Sequence, residues 1–151
     1  KDISRITVED LYEMYIQTQN IQVQASENEE KLYIQSHTDE GVIFAPISKI
    51  WKSGIKEVYT LTTKSGKQIK TSIEHLFFIV DKGYIPLRDI LVGDLVLSLD
   101  NDKVISDPIT EIKYYGKEET YDIEVPSTEN LFANDIKCHN SRWFRYLFKG
   151  G

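Results

Sequence analysis

The chain has 151 residues, of which 40% are apolar and 28% charged; this suits one folded domain with a real core and excludes a disordered or low-complexity chain. Eighteen Lys and Arg against 24 Asp and Glu leave a net charge of −6, which argues against the basic face that a general nucleic-acid binder needs. The single cysteine excludes an internal disulfide framework and a cysteine-based zinc cluster, and no apolar run reaches the length of a membrane span.

Thr7, with Asp10 three residues later, has the pattern of a helix start, and Val8, Leu11, Tyr12 and Tyr15 then recur at helical spacing. This predicts a helix over about Val8 to Tyr15. Almost everything after it reads as strand. Lys31 to His37 alternates apolar and polar, Val42 to Lys52 is β-branched and broken by Pro46, and Val58 to Thr63 alternates again. Lys64-Ser65-Gly66-Lys67 is a turn from which Gln68 to Thr71 runs back as a hairpin. Leu76 to Val80 is a short apolar strand ended by Asp81-Lys82-Gly83. Leu87 to Ile90 reads as one helical turn, Leu95 to Leu99 as a strand, and Asn101-Asp102 as a loop. Ile109 to Tyr115, Tyr121 to Val125, Leu131 to Ala133 and Ile136 to Cys138 complete the set. Many short strands separated by Gly, Pro, Asn and Asp predict an all-β fold with pairing between distant segments. From Ser141 the character changes. Arg142 to Lys149 is basic and aromatic, and the chain ends in Gly150-Gly151, so residues 141–151 read as a tail outside the domain.

Three segments could carry chemistry. In His139-Asn140-Ser141, the Asn side-chain amide can attack its own backbone carbonyl and cut the chain after itself as a succinimide forms. A neighbouring His would assist as a general acid, and Ser141 would supply a hydroxyl nucleophile. Alone, the tripeptide reads more readily as a polar turn. In Gly66 to His75, Ser72 lies three residues before His75, so hydroxyl and imidazole can both reach one backbone amide, twist it, or donate to its nitrogen. The alternative is a satisfied buried histidine at a strand end. In Tyr121-Asp122-Ile123-Glu124-Val125, Asp122 either adjusts the protonation of a nucleophile or is an edge charge. Leu91 to Val96 is a structural Gly-Asp turn leading into a strand.

Taken together and in order, these segments resemble the Hint domain of inteins, the self-splicing protein elements. Gly66, Ile69, Ser72 and His75 resemble block B, with Ser72 where Thr is usual and Thr71 beside it. Tyr121 to Ala133 resembles block F, with Asp122 at its aspartate. Asn134 to Asn140, with Ser141 next, resembles block G. The Gly93-Asp94 turn and the Lys56 to Thr63 strand fit the same pattern, and the resemblance runs from Ile6 to Ser141. There are three departures. The block A strand, which opens with the first nucleophile, is not found: the chain begins Lys1-Asp2-Ile3-Ser4, and Ser4 to Tyr15 resembles the stretch immediately after block A, so Ser4 is a poor substitute. Glu129 stands where block F often has His. Cys138 stands where an aliphatic residue usually precedes the penultimate His, and is expected to be a small buried apolar residue.

The resemblance implies a Hint fold, a horseshoe-like, pseudo-two-fold β architecture with one short N-terminal helix. It implies an intein domain over 1–140 and a C-extein tail over 141–151. The linker from Leu99 to Asp107 is too short for a homing-endonuclease insertion, so a mini-intein is expected. In the implied mechanism Ser72 and His75 activate the upstream scissile bond, Asp122 positions or activates nucleophiles, and Ser141 attacks the activated acyl group. Asn140 then cyclises with help from His139. No metal or other cofactor is required. The implied partners are a short N-terminal intein fragment carrying block A, as in an atypically split intein, and the flanking extein polypeptide; neither nucleic acid nor membrane is expected. A trimmed chain would also explain the missing block. With no secretory leader and no Asn-x-Ser/Thr sequon, the expected location is cytoplasmic. A Hedgehog-type or other autoprocessing Hint domain is the near alternative, disfavoured because those lack the terminal His-Asn and the nucleophile after it. A non-enzymatic β-rich binding module is the distant one. An amphipathic membrane or partner motif is the rival reading of the tail.

Overall fold

A computed structural model describes residues 6–24 and 32–140, with helix side chains described as far as residue 17. Ser4, Lys31 and the segment Ser141–Gly151 lie outside the described residues. Helix α1 spans Val8–Gln24, starting where its cap predicts: the Asp10 amide donates to Thr7 Oγ1 at 3.1 Å and the Leu11 amide to the Thr7 carbonyl at 3.0 Å. Leu11, Tyr12 and Tyr15 pack on the core. The helix outruns the expected end at Tyr15 because residues 16–24 contain neither Gly nor Pro, and nothing else in them stops a helix.

Strands β1 (Tyr33–Thr38) and β2 (Gly41–Pro46) form a separate antiparallel hairpin. The remaining strands are β3 (Lys49–Thr63), β4 (Gln68–Thr71), β5 (Leu76–Ile79), β6 (Gly83–Pro86), β7 (Leu95–Asp100), β8 (Lys103–Glu124), β9 (Asn130–Ala133) and β10 (Ile136–His139). They share one sheet in the order β4-β3-β8-β7-β10-β5-β6, with β9 paired to β10. The expected turn over Leu87–Ile90 is a 3-10 turn at Leu87–Asp89. Phe77, Leu61, Ile79, Val96 and Ile136 are fully buried at the centre of the core.

Two differences from the sequence reading have a physical cause. The separate strands expected on either side of residues 53–57 and 116–120 are continuous, because β3 and β8 pair from Lys49↔Glu124 to Thr63↔Ile109. The charges that look like a loop face each other across the ribbon as Lys56↔Glu118 and Glu57↔Lys117, where opposite signs favour pairing. The apparent breaker Gly54 takes φ +101° beside a β-bulge instead of ending the strand. Strand β6 was not expected at all. Four residues with a Pro at the end carry no readable alternation, and it forms because β5 offers it partners from Leu76↔Pro86 to Ile79↔Gly83.

The side chain of Asn130 makes two of the bonds that fasten the β1–β2 hairpin. Asn130 Oδ1 accepts from the His37 amide at 2.8 Å while its Nδ2 donates to the His37 carbonyl at 3.0 Å, and Ser36 Oγ donates to the Asn130 carbonyl at 3.0 Å. Lys137 Nζ adds a bond of 2.9 Å to His37 Nδ1; an ammonium only donates, so that imidazole nitrogen accepts. Burial pushes the pKa of both His37 and Lys137 down. Asn130→Ala removes the clamp and leaves buried main-chain groups unpaired. It is expected to cost about 2 kcal/mol in urea unfolding and to speed amide exchange selectively in β1 and β2. Unchanged exchange there would refute the clamp.

Candidate active site

The site forms where β5 and β10 run side by side. Cys138 on β10 pairs with Phe77 on β5 in antiparallel register. His75 immediately precedes β5 and Asn140 immediately follows β10, so continuing that register by two residues carries both to the same end of the pair. Segments more than sixty residues apart in sequence are thereby brought to one place.

On the β5 side, the Ser72 carbonyl accepts from the His75 amide at 3.3 Å and from Thr71 Oγ1 at 3.1 Å, so the Ser-x-x-His spacing closes a turn. Thr71 uses its hydroxyl in that turn; Ser72 itself is half-buried. The ring of His75 lies edge-on to Phe77 with centroids 5.1 Å apart, and its Nε2 is buried with no hydrogen-bond partner among the described residues. Burial lowers its pKa from 6.5 to about 4. The charges of His139 and Lys56 act in the same direction, and that of Asp122 acts against them. His75 is therefore a neutral imidazole at physiological pH, able to accept or donate a proton at Nε2.

On the β10 side, the Asn140 amide donates to the Glu129 carbonyl at 3.1 Å, and its Nδ2 donates to the Val125 carbonyl at 2.9 Å. The turn after β8 thus holds Asn140 by both main chain and side chain, and the residue is 4% exposed. Glu129 contributes through its carbonyl, from a left-handed backbone position with φ +63°. His139 Nδ1 sits 2.7 Å from the Asn140 carbonyl oxygen, which belongs to the peptide bond joining Asn140 to Ser141. A carbonyl oxygen only accepts, so Nδ1 carries the proton. Tyr84 of β6 packs against His139 with centroids 4.9 Å apart and planes at 89°, and burial pushes its own pKa up to about 12.

Asp122 lies on β8 opposite Trp51 and accepts a short hydrogen bond from Ser53 Oγ. Cys138 is buried in the core, and burial pushes its thiol up to about 12, so it packs as a neutral small side chain. Asp122 and His139 thus lie close enough to His75 for their charges to act on it, Ser72 closes the turn before it and Asn140 is held by His139, while Ser141 lies outside the described residues. Sequence reasoning missed Tyr84, Ser53 and the carbonyls of Val125 and Glu129. Only Gly54, a glycine inside a strand pattern, gave a signal that the chain bulges beside Ser53. Among the described residues no group of three His, Cys, Asp or Glu side chains could hold a metal ion, and no helix is long and apolar enough to cross a membrane.

An all-β frame that brings a buried histidine near a His-Asn pair at the end of a neighbouring strand is an arrangement suited to a self-processing protein domain. Residues 1–106 match the intein splicing domain family, and the chain belongs to that family. It is 31% identical to the Ssp DnaB mini-intein variant M86, whose crystal structure superposes with a TM-score of 0.68 over 74% of this chain and 77% of that one. The DnaB intein of Synechocystis sp. PCC 6803 superposes at 0.75 with 26% identity, over 91% of this chain and 88% of that one. Over 57 residues, 38% of the chain, it is 35% identical to the replicative DNA helicase DnaB of Nostoc sp. strain PCC 7120, and this stretch spans 6% of that protein. The expected Hint fold is therefore the fold observed, and protein splicing is the family's reaction.

The depressed pKa of His75 has a stability consequence. Between about pH 6.5 and about pH 4 the unfolded chain takes up a proton that the folded chain refuses. Stability is full above that window and falls as pH drops through it, by about 3 kcal/mol at most for this one group. Urea unfolding at pH 7 and pH 4.5 is expected to show the loss, and His75→Gln to make it shallower. His37, shifted the same way, retains part of the slope. Equal pH dependence in the variant and the parent would contradict the neutral, buried state of His75.

Proposed function

We propose that this chain is the main body of a mini-intein that splices in trans, with 1–140 as the catalytic domain and 141–151 as C-extein. The first nucleophile and its strand would arrive on a separate short N-terminal peptide. Support for that partner comes from the sequence, in which Ser4 to Tyr15 resembles the stretch immediately after block A.

In this reading the neutral imidazole of His75, with Ser72 on the preceding turn, activates the peptide bond upstream of the first nucleophile. The first nucleophile's hydroxyl or thiol attacks the carbonyl of that bond and gives up its proton as the amide C–N bond breaks and its own nitrogen is released as an amine, leaving an ester or thioester. Ser141 Oγ then attacks this carbonyl and loses its proton, and the first nucleophile leaves as a free hydroxyl or thiol. Asp122 positions the nucleophiles. Asn140 Nδ2 then attacks its own main-chain carbonyl carbon and loses a proton; the bond to the Ser141 nitrogen breaks, and that nitrogen leaves as an amine. The ester on Ser141 rearranges to an amide. The observation that carries the reading is the 2.7 Å bond from His139 Nδ1 to the Asn140 carbonyl oxygen. A donor aimed at that oxygen polarises the bond to be cut and stabilises the charge that develops there. The grip of Val125 on Asn140 Nδ2 holds the attacking amide, so the rate comes from proximity.

The isolated chain is expected to shed residues 141–151 slowly and not to splice. Mass spectrometry monitors the loss, and Asn140→Ala is expected to abolish it. Tail loss that persists in the variant would refute the Asn140 assignment. Mixing the chain with a peptide that carries an extein joined to a block-A segment is expected to yield a ligated product ending in Ser141–Gly151. Ligation only when that segment is fused ahead of Lys1 would mean splicing in cis.

A further inference from the structure

For Asp122 to position nucleophiles, its carboxylate must itself be aimed. An irregularity of the β3–β8 ribbon does this. Trp51↔Asp122 and Lys52↔Tyr121 are regular pairs, but the next pair is Gly54↔Thr120, so Ser53 is an extra residue with no partner on β8. Such a bulge re-aims the side chain at the extra position. Here Ser53 Oγ is turned back along the ribbon and donates to Asp122 Oδ2.

The bulge does not depend on that hydroxyl. Gly54 adopts φ +101°, a conformation that other residues rarely take. Its amide donates to Glu119 Oε2 at 3.0 Å, and its carbonyl accepts from Thr120 Oγ1 at 2.8 Å. Three independent features therefore fix the backbone at this point, and the serine hydroxyl is left with one contact of consequence, the carboxylate.

We propose that Ser53 is a positioning residue for Asp122. It holds Oδ2, fixes the carboxylate rotamer, and leaves Oδ1 to the reacting groups. The inference rests on the role given to Asp122 above. A hydrogen bond to a charged acceptor is directional, and losing it frees a carboxylate to rotate away. Misplacing a group that acts on a nucleophile slows the chemical step without unfolding the domain.

The test uses the full chain supplied with the block-A segment, in whichever of the two arrangements splices, read out by gel and mass spectrometry. Ser53→Ala is expected to slow ligation about tenfold at unchanged melting temperature, and Ser53→Thr, which keeps the hydroxyl, to restore most of the rate. In an Asp122→Ala background, Ser53→Ala is expected to have no further effect, because it acts only through that carboxylate. Parent-like splicing by Ser53→Ala would overturn the proposal, and so would an equal slowing in the Asp122→Ala background. If Asp122→Ala itself splices like the parent, the assigned role of Asp122 fails and the positioning claim with it. If the parent chain splices in neither arrangement, it is the splicing reading that fails.

Discussion

One antiparallel register governs the chemistry of this domain. Because Cys138 faces Phe77, the strand ends that carry His75 and Asn140 lie on the same side, and the charge of His139 reaches His75. The pairing is anchored by residues that cannot shift easily: Phe77 and Ile136 have no exposure to solvent, and Cys138 has almost none. A slip of one residue would turn these side chains outward and send His139 and Asn140 to the wrong faces. Packing in the core and the geometry around Asn140 are thus set by the same few residues. This is why Cys138, chemically tempting beside His139, acts here through its volume.

The site combines one imidazole kept neutral with one carbonyl kept polarised. Burial strips His75 of its proton at physiological pH and leaves Nε2 without a partner among the described residues, while His139 spends its Nδ1 proton on the Asn140 carbonyl. Two histidines in one small region therefore have different tasks, and environment makes the difference. Around them the main chain contributes as much as the side chains. The turn after β8 grips Asn140 through two carbonyls, and the bulge in β3 turns Ser53 onto Asp122. Backbone groups on a rigid sheet hold reacting atoms more tightly than mobile side chains do, which suits a reaction whose only substrate is the polypeptide itself.

How far the sequence spoke depends on the range of the interaction. The Thr7 cap, the hairpin turn before β4, the helical turn at Leu87 and the apolar runs of β5, β7 and β10 depend on neighbours in sequence, and their positions were legible. The candidate site residues Ser72, His75, Asp122, His139 and Asn140 were picked out by ordered motifs that resemble a known family, and their roles belong to the proposal above. Strand β6, the continuity of β3 and β8 and the reach of α1 were not legible. A four-residue strand or a charged ribbon is stable only through a partner that lies elsewhere in the chain, and no local pattern records that partner.

The order of residues alone fixed the all-β class and the helix start and singled out the candidate reactive groups, since these derive from periodicity, capping and functional-group chemistry. Only the folded sheet decided that the strand ends carrying His75 and Asn140 run side by side, that His139 Nδ1 rather than Nε2 bears on the Asn140 carbonyl, and that Tyr84 and Ser53 lie against the candidate residues. Proximity, tautomer and burial arise from pairing between distant strands, and until those strands pair no residue carries them.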